Sequence, residues 1–308
     1  MSVGVMDLNK LACVVMDGGA PHTVVRPGIT LCLFYAEPAW KVAPGIADIL
    51  EAYMAFVPKG ALQAYLAPDG RWKKATQRTF NSTLDGLRTT KRSENAAFNF
   101  GQEPLASVGK YGAHFIASPM DDEFFALETA VLYLEFPSEL SEFTDTNEFI
   151  EFVRRVALMH VFDSGFCGFA FNHLHLTFLE EAFEAIGKLA MRYIGFDVNY
   201  DYVRMYARGH VYNVSWLTLL GKEIATKLGG IETIRNQLAK AASAAELGSG
   251  VMIRAAEAPI VGDVNRRALD IGGLRKVAQL TRPLRVSVEN LGPDDPHFAA
   301  RWLSRFDT

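Results

Sequence analysis

The chain has 308 residues, 49% hydrophobic and 21% charged, with a formal net charge of −4. That balance supports one large core, excludes extensive disorder and gives no global attraction to nucleic acid or an anionic membrane. No apolar run approaches the ~18 residues of a membrane-spanning helix, and no basic segment leading into an apolar one opens the chain. The three cysteines, Cys13, Cys32 and Cys167, are an odd number set in apolar runs, so they read as reduced core residues of a cytoplasmic protein.

In chain order, residues 11–16 form a short strand ended by Asp17-Gly18-Gly19, residue types that favour a turn. Residues 29–35 are a nearly continuous apolar strand. Pro38 and Pro44 then bracket a loop before Ile46, Ile49, Leu50, Tyr53, Met54 and Val57 place an apolar stripe on one helix face. Pro58 and Gly60 stop that helix, and residues 61–67 give a second strand, completing a β-α-β unit. A similar order of events recurs about 100 residues later, the signature of an internal repeat. Residues 130–136 are the strand and Pro137 its end. Phe149, Phe152, Val153, Val156 and Ala157 mark the helix, which Asp145 and Glu148 open at capping-box spacing. Gly165 introduces the second strand over 166–172. A further helix follows each copy, over 76–90 and 177–193, and residues 96–100 and 111–118 alternate as strands.

The C-terminal third opens on residues 211–221, whose β-branched, aromatic and hydroxyl residues read as a buried strand released by Gly221. Helices over 222–228 and 231–242, a strand over 250–256, a turn-rich stretch over 259–267 and helices near 274–280 and 297–306 complete it. No Ser- or Pro-rich linker divides the chain. The expected architecture is therefore α+β: two tandem β-α-β-like repeat halves sharing a mixed sheet, with a C-terminal α+β extension. The expected division is a single compact domain of residues 1–308, with halves at approximately 27–119 and 124–205 and the extension at 206–308.

Chemistry-bearing residues are sparse. Cys167, His173 and His175 have spacing that puts His173 and His175 on one strand face, but they lack a nearby fourth ligand. His160 falls on the apolar stripe of its helix and reads as a packed core histidine. Asp163-Ser164-Gly165 lacks the glycine pattern of a nucleophile elbow, and neither Gly18-Gly19 nor Gly229-Gly230 belongs to a phosphate loop. Residues 71–92 hold seven basic residues and Trp72, without the aromatic interleaving of a nucleic-acid platform. Gly262, Asp263, Asn265 and Arg266 form the best small polar constellation. Gly262 suits a turn, Asp263 and Asn265 suit local backbone hydrogen bonds, and Arg266 suits a carboxylate partner. No catalytic residue, metal or cofactor is expected.

The segment at 209–230, GHVYNVSWLTLLGKEIATKLGG, resembles the one typical of the TsiV-like immunity proteins of bacterial type VI secretion, with Trp216 and Gly221 at its centre. The likeness continues through GVMIR at 250–254 and PIVGDVNR at 259–266 and ends in RWLSRFD at 301–307. It implies a cytoplasmic protein that binds and neutralises a cognate type VI effector toxin, in this family often a nuclease, by stoichiometric occlusion. It implies no catalysis, no direct contact with nucleic acid and no membrane. A small hydrolase using His173, His175 and Asp263, and an effector-loading adaptor or chaperone, are the alternatives from other classes.

One composition shift bears on that implication. Ten carboxylates, Asp121, Asp122, Glu123, Glu128, Glu135, Glu139, Glu142, Asp145, Glu148 and Glu151, occur with no Lys, Arg or His between 121 and 151. A nuclease needs a basic surface for phosphates, which an acidic face could steer onto and block. The candidate toxin-binding residues are Asp121, Asp122, Glu123, Phe124, Glu139, Glu142 and Asp145, with Phe125 and Phe143 as further anchors. Against this, Asp145 and Glu148 suit a helix cap and charge runs are usually solvated.

Overall fold

The structure, a computed structural model, describes residues 7–102, 107–120, 128–174, 179–199, 201–266, 271–287 and 297–307. Along the chain these form β1 (Cys13–Asp17), β2 (Ala20–Tyr35), α1 (Ala39–Phe56), β3 (Ala64–Leu66), β4 (Trp72–Lys74), α2 (Gln77–Arg88), β5 (Ala96–Gly101), β6 (Gly112–Ala117) and β7 (Ala130–Pro137). There follow α3 (Thr146–Met159), β8 (Ser164–His173), α4 (Leu179–Ala190), β9 (Leu217–Leu220), α5 (Lys222–Lys227), α6 (Gly230–Leu238), β10 (Ser243–Leu247), β11 (Gly250–Arg254), α7 (Gly272–Thr281) and α8 (Phe298–Leu303). The class is α+β, as the pattern of elements implied.

The strands make one 11-stranded sheet in the order β10-β11-β9-β8-β2-β7-β6-β5-β3-β4, with β1 paired to the start of β2. Its strand pairs are antiparallel, which corrects the expected mixed sheet. The reason lies in what is inserted between the crossover strands. β7 and β8 run the same way across α3, but β2 lies between them; β2 and β3 run the same way across α1, with β7, β6 and β5 between. The crossovers therefore join parallel strands that never touch.

β2 is the spine. It pairs with β7 from Gly28 to Tyr35 on one side and with β8 from Val25 to Phe34 on the other. β7 and β8 are buried at every position, and because successive side chains point to opposite faces, both faces of the sheet centre are covered. α1 lies against β5, β6 and β7 and touches α2 and α3. β9 and β11 face two cores by alternation: Leu217, Leu219 and Met252 enter the main one, while Leu220, Val251 and Ile253 enter a smaller core with Ile234, Leu238, Leu274, Val277 and Phe306.

Both ends of the sheet are guarded. β4 is three residues long and carries exposed Lys73 and Lys74. At the other end, Arg235 donates to the Ala244 carbonyl and Arg154 to the Glu246 carbonyl, each at 3.2 Å. These alternate positions point away from β11, so two arginines occupy acceptors that another strand would use.

Three local expectations change. α1 begins at Ala39, so Pro44 lies inside the helix and not in a loop. An internal proline costs a hydrogen bond and about 3 kcal/mol, offset here by full burial of Ala39, Val42 and Ala43. The strand expected at 61–67 shrinks to β3, and β10 was not foreseen. The strand expected at 211–221 is confined to β9. Residues 211–220 are all buried, but Val211 is held by Leu284 and Val286, and the Thr218 hydroxyl turns back on Ser215. We propose that residues 1–308 form one domain, with the boundaries 27–119, 124–205 and 206–308 kept for its halves and extension.

Candidate interaction surface

The acidic segment is not one face. Glu128 is buried, accepts from the Ser118 hydroxyl at 2.8 Å and pairs with Arg204. Glu135 is buried 3.5 Å from His114, and its backbone carbonyl takes the Tyr53 hydroxyl at 2.6 Å. Asp121, Asp122, Glu123 and Phe124, with Phe125, lie outside the described residues. That leaves Glu139, Glu142, Asp145, Glu148 and Glu151 exposed on the approach to α3 and along its first turns.

Local chemistry fixes several of these. Asp145 is the N-cap of α3 and accepts from the Asn147 and Glu148 backbone N–H groups at 2.8 and 3.0 Å. Glu148 does not close a reciprocal box; it takes the Thr144 hydroxyl at 2.8 Å. Lys110 donates to Glu142 at 2.6 Å and Arg154 lies 3.7 Å from Glu151. Exposed pairs of this kind contribute little to stability. Phe143 is not a free anchor. It stacks on Phe136 at 5.9 Å and meets Phe56, Tyr111 and Phe149 edge-on.

The polar constellation at residues 262–266 is engaged within the fold. Gly262 has φ +64°, and a Cβ there would sit 2.9 Å from the Gly195 nitrogen. Asp263 accepts from Arg192 at 3.2 Å and from the Asn265 backbone N–H at 3.1 Å. Burial pushes its carboxyl up, but the Arg192 guanidinium and the Asn265 N–H outweigh that and hold it below its ordinary value. Arg266 lies 4.0 Å from the same carboxylate. Trp216 stacks on Phe149 at 6.2 Å and donates its indole N–H to the Ala256 carbonyl at 2.9 Å. Gly221 caps α5 where a Cβ would meet the Phe162 and Asp163 carbonyls at 2.4 Å.

Among the described residues, no cluster of His, Cys, Asp and Glu gathers to hold a metal. His173 is buried edge-on against Phe183, with its Nδ1 3.4 Å from the Phe171 carbonyl, while His175 lies outside the described residues. Burial pushes the Cys167 thiol well above its ordinary range, the opposite of what a thiolate ligand needs. His160 is half-buried at the end of α3, 3.4 Å from Glu37 and tilted over Tyr35. In the basic segment, Arg88 pairs with Asp48 and Glu51 and Lys73 with Asp69.

A further polar centre escaped the sequence. The Thr30 hydroxyl donates to Asn172 at 2.7 Å, and the Asn199 amide reaches Asn172 at 2.9 Å and Thr30 at 3.1 Å. Asp197 accepts from the Asn199 backbone N–H at 2.6 Å, and burial pushes its carboxyl up to about 7 against the pull of that N–H and of Arg305. Desolvation lowers the half-buried Arg305 guanidinium to about 10, with the charge of Asp197 opposing the shift. It donates to Ile194 and Trp302 carbonyls and to Asn213. These residues come from β2, β8, the segment after α4 and the chain end, so no local spacing signals them. The cluster ties the C-terminus to the spine.

The TsiV family, described as type VI immunity for VRR-NUC, matches residues 45–306. The chain belongs to the TsiV family. The match takes in the segments at 209–230, 250–254 and 259–266, so it agrees with the resemblance read from them. A comparison with curated proteins gave no match. Among solved structures the TsiV chain is similar to a Pseudomonas aeruginosa protein described as T6SS protein PA0821. The two share 17% identity and a TM-score of 0.76, over 96% of this chain and 87% of that one. At that identity the likeness shows the fold alone.

Proposed function

We propose that this TsiV protein is a non-catalytic cytoplasmic immunity protein that binds a VRR-NUC nuclease toxin delivered by type VI secretion. It blocks the toxin stoichiometrically, by covering the surface the nuclease uses for nucleic acid. The observation that carries this is the family match through residues 45–306, a family described as type VI immunity for VRR-NUC. The side chains support it, because the groups best suited to chemistry are engaged by the fold: Asp263 with Arg192, Glu128 with Arg204, and Asp163 with the Gly209 backbone N–H at 2.6 Å. No helix among the described residues is long and apolar enough to cross a membrane.

The proposed toxin-binding face comprises Glu139, Glu142 and Asp145, exposed before and at the start of α3, together with Asp121, Asp122, Glu123 and Phe124. A nuclease gathers basic side chains to hold phosphates, and complementary charge accelerates encounter and fixes orientation. The test is co-expression with a VRR-NUC effector, scoring growth and co-purification, followed by titration of purified protein into a DNA-cleavage assay. Inhibition that saturates at a fixed molar ratio with a stable complex is the expected result. Protection at a small fraction of the nuclease concentration, without a complex, would overturn occlusion in favour of an enzyme.

A further inference from the structure

The outer face of α3 changes character along its length. Its exposed positions include Glu148, Glu151, Arg155, Leu158 and Met159, a stripe at three- and four-residue spacing. It starts acidic and ends apolar: Leu158 is 53% exposed, Met159 38%, and Val161 just beyond the helix 72%. Adjacent exposed aliphatics of this size are uncommon on a monomer surface and mark interaction sites.

Leu158 and Val161 line a cleft of about 200 Å³ together with Ala157, Phe162, Lys222, Leu247 and the glycines at 221, 248 and 250. The β10–β11 turn packs closely here, since a Cβ at Gly248 would come within 2.9 Å of Leu158. The cleft admits one large partner side chain. Backbone pairing is closed to the partner at this end, because Arg154 and Arg235 already hold the outward carbonyls of β10.

We propose that this end of α3 and its cleft form the anchor of the interface with the nuclease toxin, an inference that rests on the immunity reading above. Charge identifies the occupant. Glu139, Glu142, Asp145, Glu148 and Glu151 follow one another with no Lys, Arg or His among them, Arg154 and Arg155 separating them from the apolar end, and among the described residues Lys110 pairs with Glu142 and Arg154 with Glu151. A partner that lays a phosphate-binding surface along the acidic stretch brings its own rim onto Leu158, Met159 and Val161. The acidic part steers and the apolar part holds.

Biolayer interferometry against the tagged VRR-NUC nuclease domain separates the two roles. Leu158→Asp and Val161→Asp, each at an exposed position, should keep the melting temperature and weaken binding on the order of 30-fold or more, through faster dissociation. Glu139→Lys with Glu142→Lys should instead slow association at low salt. Met16→Asp, on the exposed face of β1 and 68% exposed, should change nothing. Wild-type affinity in both Leu158→Asp and Val161→Asp, or loss confined to Met16→Asp, would overturn the anchor while leaving the immunity reading intact. Failure of the wild-type protein itself to bind would remove the immunity reading and the anchor with it.

Discussion

Replacing Asp197 by asparagine tests whether the centre joining the chain end to the spine carries a cost at neutral pH. In the folded protein, burial holds the Asp197 carboxyl at about 7, even with the Asn199 N–H and Arg305 favouring ionisation. In the unfolded chain it ionises near 3.9, roughly three units lower, and each unit is worth about 1.4 kcal/mol. Between those values the folded state binds more protons, so this group's contribution to stability falls as pH rises from about 4 to about 7 and is flat above. The full cost of ionisation is at most about 4 kcal/mol. The substituted amide would stay neutral and keep an oxygen for the Asn199 N–H, now accepted at 2.6 Å. Its NH₂ would fall at the second carboxylate oxygen, which is buried without a partner among the described residues, and that costs about 1–2 kcal/mol. Arg305 keeps its three oxygen acceptors. The net expectation is a variant about 2 kcal/mol more stable than wild type at pH 8, the advantage shrinking and reversing towards pH 5. Urea titrations of both proteins at pH 5, 6, 7 and 8 read it directly. A gap that stays constant across that range, or a variant clearly weaker at pH 8, refutes the reasoning.

Asp263→Ala removes the acceptor shared by Arg192 and the Asn265 N–H; it should cost about 1–2 kcal/mol in denaturant unfolding and leave nuclease binding unchanged, whereas lost binding at an unchanged melting temperature would place Asp263 in the interface. Gly221→Ala drives a methyl into two backbone carbonyls at 2.4 Å and should destabilise by about 2–3 kcal/mol. Gly86→Ala, in open space on α2, should stabilise by about 1 kcal/mol, so the same assay returns opposite signs for the two glycines.

The elements with strong periodicity were legible in the sequence. α2, α3, β7 and β8 fall close to their expected ranges, because α2 and α3 have side-chain caps in Thr76 and Asp145 and α3 repeats its apolar residues at helical spacing, while β7 and β8 are short, nearly continuous apolar runs. Residues 211–220 show the limit of that approach. Composition correctly reports burial, but it cannot tell a ladder partner from the Leu284 and Val286 backbone that holds Val211. Pro44 misled for a related reason, since the penalty of a helical proline is local and the burial that offsets it is tertiary. For the candidate face, the acidic run was plain, but its division was not. Glu128 and Glu135 point into the protein because β7 and the segment before it are central, and centrality is a property of strand order. The apolar end of α3 had no signal of its own, as Leu158, Met159 and Val161 differ from their core neighbours only in which way they face.

The guarded ends of the sheet bear on how such a protein is kept. A protector of the stoichiometric kind proposed above has to be stocked before any toxin arrives, and a stock of eleven-stranded sheets with bare rims would be prone to stack edge to edge. The lysines of β4 and the arginines gripping β10 give each molecule the means to stay separate at high copy number. Arg154 thereby links the two demands, since it closes the β10 rim from the same helix whose outer face we propose as the toxin's seat.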